Sequence, residues 1–167
     1  QLGDSRGWDR TWVAGSIAAF AAAGALAMLL SGPLVDRWTA RRMFPFVLIP
    51  YTAGIFILAF YHEPLAYPMA LFLFGFSNGA GGTIKNALLA EIYGTTIIGS
   101  VRSLFTTLTV LSTALGPISF GLLLDGGLSF TTVLLLCAAV LCVAIVWSFR
   151  IWSTFLWKRF LVQWRTK

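Results

Sequence analysis

Five long intervals of this 167-residue chain contain no charged side chain, and their lengths constrain the fold more than any other feature. They cover residues 11–35, 43–61, 64–84, 103–124 and 126–149. A helix needs about 20 mostly apolar residues to cross a lipid bilayer. Only 11% of the residues are charged, so the chain lacks the charged helix faces of a soluble helical bundle. We therefore predict an all-α integral membrane protein with five transmembrane helices, at about 12–31, 43–60, 65–84, 103–124 and 129–149.

The net charge of +6 is explained by membrane topology, so it does not indicate a nucleic-acid partner. If residues 36–42 lie in the cytoplasm and the helices alternate in direction, every basic residue except Arg6 and Arg10 falls on the cytoplasmic side. Such an excess of arginine and lysine is typical of cytoplasmic loops. We expect a multi-pass protein of the cell or inner membrane, with the C-terminus in the cytoplasm.

This topology also divides the chain. Residues 1–11 become an external loop or the end of a preceding helix that the chain lacks, and residues 12–149 form the five-helix bundle. Residues 150–167 become a cytoplasmic tail, held at the lipid interface by basic and aromatic side chains.

Glycine and proline interrupt several of the predicted spans. Gly75 and Gly79 have the small-xxx-small spacing that lets membrane helices approach closely. Gly116 and Pro117, followed by Gly121, predict a break in the fourth span. Backbone groups freed at such breaks can line an aqueous cavity. The alternative is that these residues reflect only the higher frequency of glycine and proline in membrane helices.

Residues 32–42 form a short, strongly charged segment between the first two spans, Gly-Pro-Leu-Val-Asp-Arg-Trp-Thr-Ala-Arg-Arg. We expect Gly32 and Pro33 to end the first helix. Asp36 would then lie at the N-terminus of the next helix, where unpaired amides and the helix dipole favour a carboxylate. The arginines supply basic charge and partners for carboxylates on a neighbouring domain. They are Arg37, Arg41 and Arg42.

This segment resembles the loop signature of the major facilitator superfamily, a large class of secondary transporters. Its glycine, leucine, acid and three arginines follow the pattern Gly-x-Leu-x-Asp-Arg-x-x-x-Arg-Arg between two spans. One departure is Thr39, where the family often has a glycine, and a threonine there would stiffen the turn. Members of the family consist of two six-helix halves, each with this loop between its second and third helices. The resemblance implies the C-terminal half of such a fold without its first helix.

The resemblance also implies a function. Residues 91–102 and 112–125 resemble the bacterial monocarboxylate-porter branch. Alternating access would move a small solute, favoured as an organic monocarboxylate or similar anion, with a coupling ion such as the proton or a counter-substrate. The missing N-terminal half and the lipid bilayer are the other expected partners. The charged loop would form part of a cytoplasmic latch that favours one state, with Gly32, Asp36, Arg37, Arg41 and Arg42 as its residues.

Few polar residues lie within the predicted spans, so each is a candidate for the solute cavity. Asn78 falls near the middle of the bilayer, where its amide needs partners from a cavity or from another helix. Lys85 and Asn86 lie near the cytoplasmic end of the same helix. Lys85 would suit an anionic substrate if it faces the cavity; otherwise its side chain extends to the interface.

We predict no enzymatic activity, no metal and no cofactor. Residues 75–79 match the G-x-S-x-G nucleophile pattern, but such an elbow needs a strand-to-helix turn and a histidine base. The sole histidine, His62, lies in a predicted external loop, and Cys137 and Cys142 are too few to build a metal site with it. The main alternative to a transporter is a membrane-embedded structural or assembly subunit that packs through glycine-rich helix faces.

Overall fold

A computed structural model describes the backbone of residues 10–94 and 96–165, and the side chains of residues 11–94 and 96–150. Within these residues it contains five helices, which confirms the all-helical fold predicted from the sequence. They are α1 (Arg10–Trp38), α2 (Ala40–Phe60), α3 (Ala66–Tyr93), α4 (Ile98–Asp125) and α5 (Phe130–Arg165). The predicted external segment at the N-terminus lies outside the described residues, except for its last two. The side chains of the predicted tail after Arg150 also lie outside them.

In the described part of the chain, four helices are long and apolar enough to cross a membrane: Thr11–Trp38, Ala40–Phe60, Ile98–Asp125 and Phe130–Arg150. α3 is less apolar because glycines and the polar residues Ser77 and Asn78 occupy its middle. It nevertheless packs against both α1 and α2. We interpret α3 as the fifth span, because it lies beside α1 and α2 from one end of the bundle to the other.

Helix direction alternates along the chain. Phe20 lies against Gly75, and Gly24 lies against Gly79, so α1 and α3 are parallel. α2 lies antiparallel to α3, because Val47 contacts Gly81 while Gly54 contacts Phe74. The bundle is therefore built up and down, as expected for consecutive membrane spans joined by short loops.

Two apolar clusters hold the bundle together. The first joins α2, α3 and α5 and has six buried members: Ile55, Leu58, Ala59, Ala70, Leu134 and Ala138. The second joins α1, α2 and α3 and comprises Ala27, Ala40, Ala80 and Ile84. Alanine makes up half of the first cluster and three of the four members of the second, so helix backbones approach closely and dispersion contacts replace the hydrophobic effect that lipid cannot provide.

The alternating topology brings the lysines and arginines of residues 11–150 to one end of the bundle, which we call the basic end. The α1/α2 turn, the C-terminal end of α3 and the N-terminal end of α4 meet there. Phe46 and Phe149, with ring centroids 5.6 Å apart, bring the α5 residue Arg150 to the same end. The basic residues at this end are Arg37, Arg41, Arg42, Lys85, Arg102 and Arg150.

The break expected at Gly116 and Pro117 does not occur, because α4 is continuous from Ile98 to Asp125. Proline removes one backbone hydrogen bond, and membrane helices tolerate that loss through local adjustment. A glycine does end α3. Gly94 follows its last residue with a φ of 69°, which glycine adopts without the steric penalty of a side chain.

Candidate functional site

The prediction that Gly32 and Pro33 end the first helix is wrong. α1 continues through both residues to Trp38, and this places Asp36 in its last turn. The prediction that Asp36 caps the next helix is therefore also wrong. A carboxylate in the last turn meets the negative end of the helix dipole, but Asp36 is exposed to solvent, where this repulsion is screened.

A single residue, Thr39, joins α1 to α2. Its φ of 67° and ψ of 142° make it the one non-glycine residue with positive φ in the described part of the chain. Its N–H group donates to the Val35 carbonyl at 2.9 Å and closes the last turn of α1. A β-branched side chain at positive φ is strained, typically by about 1–3 kcal/mol. Thr39 occupies the position where the resemblance led us to expect glycine.

Glu91, at the end of α3, takes the role that was predicted for Asp36. Its Oε1 atom accepts a hydrogen bond of 2.8 Å from the Ala40 amide, across 51 residues of sequence. Ala40 is the first residue of α2, so Glu91 satisfies a backbone donor that has no partner within the helix. The negative charge also lies at the positive end of the α2 dipole.

Arg41 adds a second connection between the turn and Glu91. Its Nε atom lies 3.9 Å from Glu91 Oε2, and its terminal guanidinium nitrogen donates to the Glu91 carbonyl at 3.5 Å. Both side chains are about one-third exposed, at 35% and 32%. We call Ala40, Arg41 and Glu91 the Glu91 cluster. It ties the α1/α2 turn to the end of α3.

The other signature residues do not enter this cluster. Asp36, Arg37 and Arg42 are exposed, and a Cβ atom at Gly32 would meet no described atom within 4 Å. Sequence reasoning missed the role of Glu91, although one signal was present. Apart from Asp36, Glu91 is the only acidic residue that the predicted topology places on the basic side.

Gly75 and Gly79 lie where α1 and α3 make backbone contact. A Cβ atom at Gly75 would collide with the Phe20 carbonyl oxygen, and one at Gly79 would collide with the Gly24 carbonyl oxygen. Such close approach requires glycine and allows weak Cα–H···O contacts between the helices. Ser77, from the G-x-S-x-G match, is buried and donates to the Val47 carbonyl of α2. It thus connects two helices.

The polar cavity candidates lie outside the interfaces of α3 with α1 and α2. Asn78 and Lys85 are exposed, and their i and i+7 spacing places them on one face of α3. Asn86 is exposed as well. The structure therefore brings Asn78 and Lys85 to a common surface. Within the described residues it does not place the Asn78 amide between packed helices.

α4 carries a set of hydroxyl groups that sequence reasoning overlooked. Five of them donate to the carbonyl four residues earlier: Thr107, Thr109, Ser112, Thr113 and Ser119. Each hydroxyl oxygen keeps its acceptor capacity for another molecule. α4 buries no side chain against the described residues, and Gly116 and Gly121 have open space around them. The density of serine and threonine in 103–119 was the available signal.

Long apolar helices packed up and down, with basic residues collected at one end, define a multi-pass integral membrane protein. Within that class, the family model of the Major Facilitator Superfamily matches residues 1–165, and the chain belongs to this family. It is similar to the class G tetracycline resistance protein of Vibrio anguillarum, with 30% identity over 115 residues. The match covers 68% of this chain and 29% of that protein, so the chain spans less than a third of the relative. No solved structure matches the chain.

Proposed function

We propose that this chain is part of a secondary active transporter that moves a small organic solute by alternating access. The family match supports this function. The observation that carries it is the Glu91 cluster, where one carboxylate both caps α2 and pairs with Arg41. Alternating access needs contacts at the bundle ends that form in one state and break in the other. A partly exposed ion pair at the meeting point of three helices suits that task.

In this proposal the basic end faces the cytoplasm, because arginine and lysine accumulate in cytoplasmic loops. The five helices belong to the C-terminal six-helix half, with the bundle at 12–149 and the tail at 150–167. Of the predicted latch residues, Asp36 is exposed next to the Glu91 cluster and would meet the other half of the protein there. Together with Arg41 it would form the cytoplasmic latch.

We place the solute beside the exposed face of α3 that carries Asn78 and Lys85, with the α4 hydroxyls as further hydrogen-bonding groups. The Lys85 ammonium group favours an anion, and a carboxylate is the simplest organic anion that it would pair with. This favours an organic monocarboxylate. The name of the similar Vibrio anguillarum protein makes tetracycline the first compound to compare with it.

Solute uptake by the intact protein in vesicles tests the proposal. Labelled monocarboxylates and tetracycline are offered with and without a proton gradient. Lys85→Ala should raise the apparent KM for an anionic solute about tenfold or more, because a charge-assisted contact is lost. Arg102→Ala, at the same end of the bundle, is the matched control and should leave KM unchanged. An unchanged KM for every transported anion in Lys85→Ala would exclude Lys85 from the solute site.

The latch is tested separately. Asp36→Asn should slow transport of the same solute while the protein expresses and folds normally, because the latch loses a charge that distinguishes the two states. Wild-type uptake by a well-expressed Asp36→Asn variant would count against the latch.

The alternative of a structural subunit that packs through glycine-rich faces is less well supported. Gly75 and Gly79 already contact α1 within this chain, so they are not available to a partner helix. If vesicles with the intact protein accumulate none of the offered solutes under any gradient, the transporter proposal fails and the structural alternative gains.

A further inference from the structure

A groove runs between α1 and α2 at the basic half of the bundle. The two helices contact each other at few positions, and each packs instead on α3. The groove has a volume of about 150 Å³. Its floor is formed by α3 through the buried residues Ser77, Ala80 and Ile84. It belongs neither to the Glu91 cluster nor to the face of α3 that carries Asn78 and Lys85.

The walls of the groove are apolar and open to the surroundings. Leu30 and Leu34 of α1 are 55% and 38% exposed, and Phe46 of α2 is 58% exposed. The two serines in the groove do not change its character, because each hydroxyl already donates to a backbone carbonyl. The Ser31 hydroxyl donates to the Met28 carbonyl oxygen at 3.0 Å, and the Ser77 hydroxyl donates to the Val47 carbonyl oxygen. A cavity of this size with apolar walls accommodates a small hydrocarbon group.

Two guanidinium groups continue these walls at the basic end. Leu30, Leu34 and Arg37 follow the i, i+4, i+7 spacing, so Arg37 extends the α1 wall. Arg42 precedes Phe46 by one helical turn and extends the α2 wall in the same way. Both arginines are exposed, whereas Arg41 turns to Glu91.

We infer that this groove binds an anionic phospholipid, with part of one acyl chain between α1 and α2 and the phosphate held by Arg37 and Arg42. The order of the groups along the groove matches such a lipid, since hydrocarbon contacts lie inside the membrane span and two cations lie at its end. Arginine binds phosphate in a bidentate geometry. Basic residues at the cytoplasmic surface also attract anionic lipids. The inference does not depend on the proposed transport activity.

Binding of phosphatidylglycerol to the purified intact protein in detergent, measured by native mass spectrometry, tests this inference. The double variant Arg37→Gln/Arg42→Gln should bind the lipid about 30-fold more weakly, because each basic residue contributes about fivefold. The control pair, Lys85→Gln/Arg102→Gln, removes the same charge from the same end outside the groove. It should change binding less than twofold if the site is specific.

A second pair of variants tests the acyl chain. Leu34→Trp narrows the groove and should weaken binding about tenfold, which corresponds to the loss of roughly two buried methylene groups. Leu29→Trp places the same ring at a 74% exposed position outside the groove and serves as its control. Glycerophosphoglycerol, the headgroup without acyl chains, should bind much more weakly than the lipid.

Three outcomes would overturn the inference. An equal loss of affinity in the lysine–arginine control pair would show general surface attraction. Equal affinity for glycerophosphoglycerol would show a site for phosphate alone. A wild-type protein that retains no phosphatidylglycerol would show that another segment of the protein covers the groove.

Discussion

α3 and α4 are both 28 residues long, yet they differ completely in packing. α3 buries eight residues, most of them glycine, alanine or serine: Ala66, Ala70, Gly75, Ser77, Gly79, Ala80, Ile84 and Leu89. α4 is apolar enough to span a membrane, but none of its side chains is buried against the described part of the chain. The helix with the weaker transmembrane composition is therefore the one that makes the most contacts.

This contrast separates two properties that a hydropathy pattern combines. Apolar composition places a helix in lipid, where another leucine gains nothing from contact with a neighbouring helix. Small residues and paired polar groups decide which helices pack together. Gly75 and Gly79 provide backbone contact in α3, whereas Gly116 and Gly121 of α4 have no described neighbour. α4 therefore buries none of its residues against the described part of the chain.

The largest difference in the free energy of unfolding between α3 and α4 should come from the same glycine-to-valine substitution made in each helix. Gly79→Val would place side-chain atoms against the Gly24 carbonyl and force α1 and α3 apart. Overpacking of this kind should lower the free energy of unfolding by about 3 kcal/mol or more. Denaturant unfolding of the purified protein in detergent measures the loss.

Gly121→Val is the matched control for this experiment, since the surroundings of Gly121 are open in the described structure. It should change the free energy of unfolding by less than about 1 kcal/mol. A comparable loss in both variants would mean that α4 packs as tightly as α3 in the intact protein, and the contrast would disappear.

An intermediate effect is expected from the Glu91 cluster. Glu91→Ala removes the cap of the Ala40 amide and the partner of Arg41, so it should destabilise the α1/α2 turn by about 1–2 kcal/mol. Hydrogen exchange of the Ala40 amide should accelerate about tenfold, since 1.4 kcal/mol corresponds to that factor. Asp36→Ala, which removes an exposed carboxylate nearby, should leave this exchange rate unchanged. The cap would be disproved if the two variants exchanged at the same rate.

The sequence was sufficient for the features that depend on local composition. Charge-free intervals predicted the helical spans because lipid imposes both their length and their lack of charge. The charged segment at 32–42 contains the junction of α1 and α2, as predicted, but only Thr39 lies outside the two helices.

Features that depend on contacts between distant segments were not predictable. The cap of α2 comes from Glu91, which lies near Ala40 because α3 packs against both α1 and α2. By the local rule, an acidic residue just before a helix caps that helix, and this rule selected Asp36 instead of Glu91. Likewise, Gly-Pro pairs predicted a helix end at Pro33 and a break at Pro117, but both helices continue because one missing hydrogen bond is tolerated in a membrane helix.

The smallest effect on the free energy of unfolding should come from replacing a threonine with glycine, and it should differ in sign between the α1/α2 turn and α4. Thr39→Gly removes a side chain from a residue with φ of 67°, where glycine is not strained. The strain released is about 1–3 kcal/mol, and glycine returns part of it as extra freedom in the unfolded chain, so a net gain of about 1 kcal/mol is expected. Thr107→Gly makes the same change in the middle of α4, where lower helix propensity should reduce stability by a few tenths of a kcal/mol. Denaturant unfolding of both variants measures whether each free energy of unfolding rises or falls. A loss of stability in both would show that the Thr39 side chain, like that of Thr107, stabilises its surroundings, and that the turn is not strained.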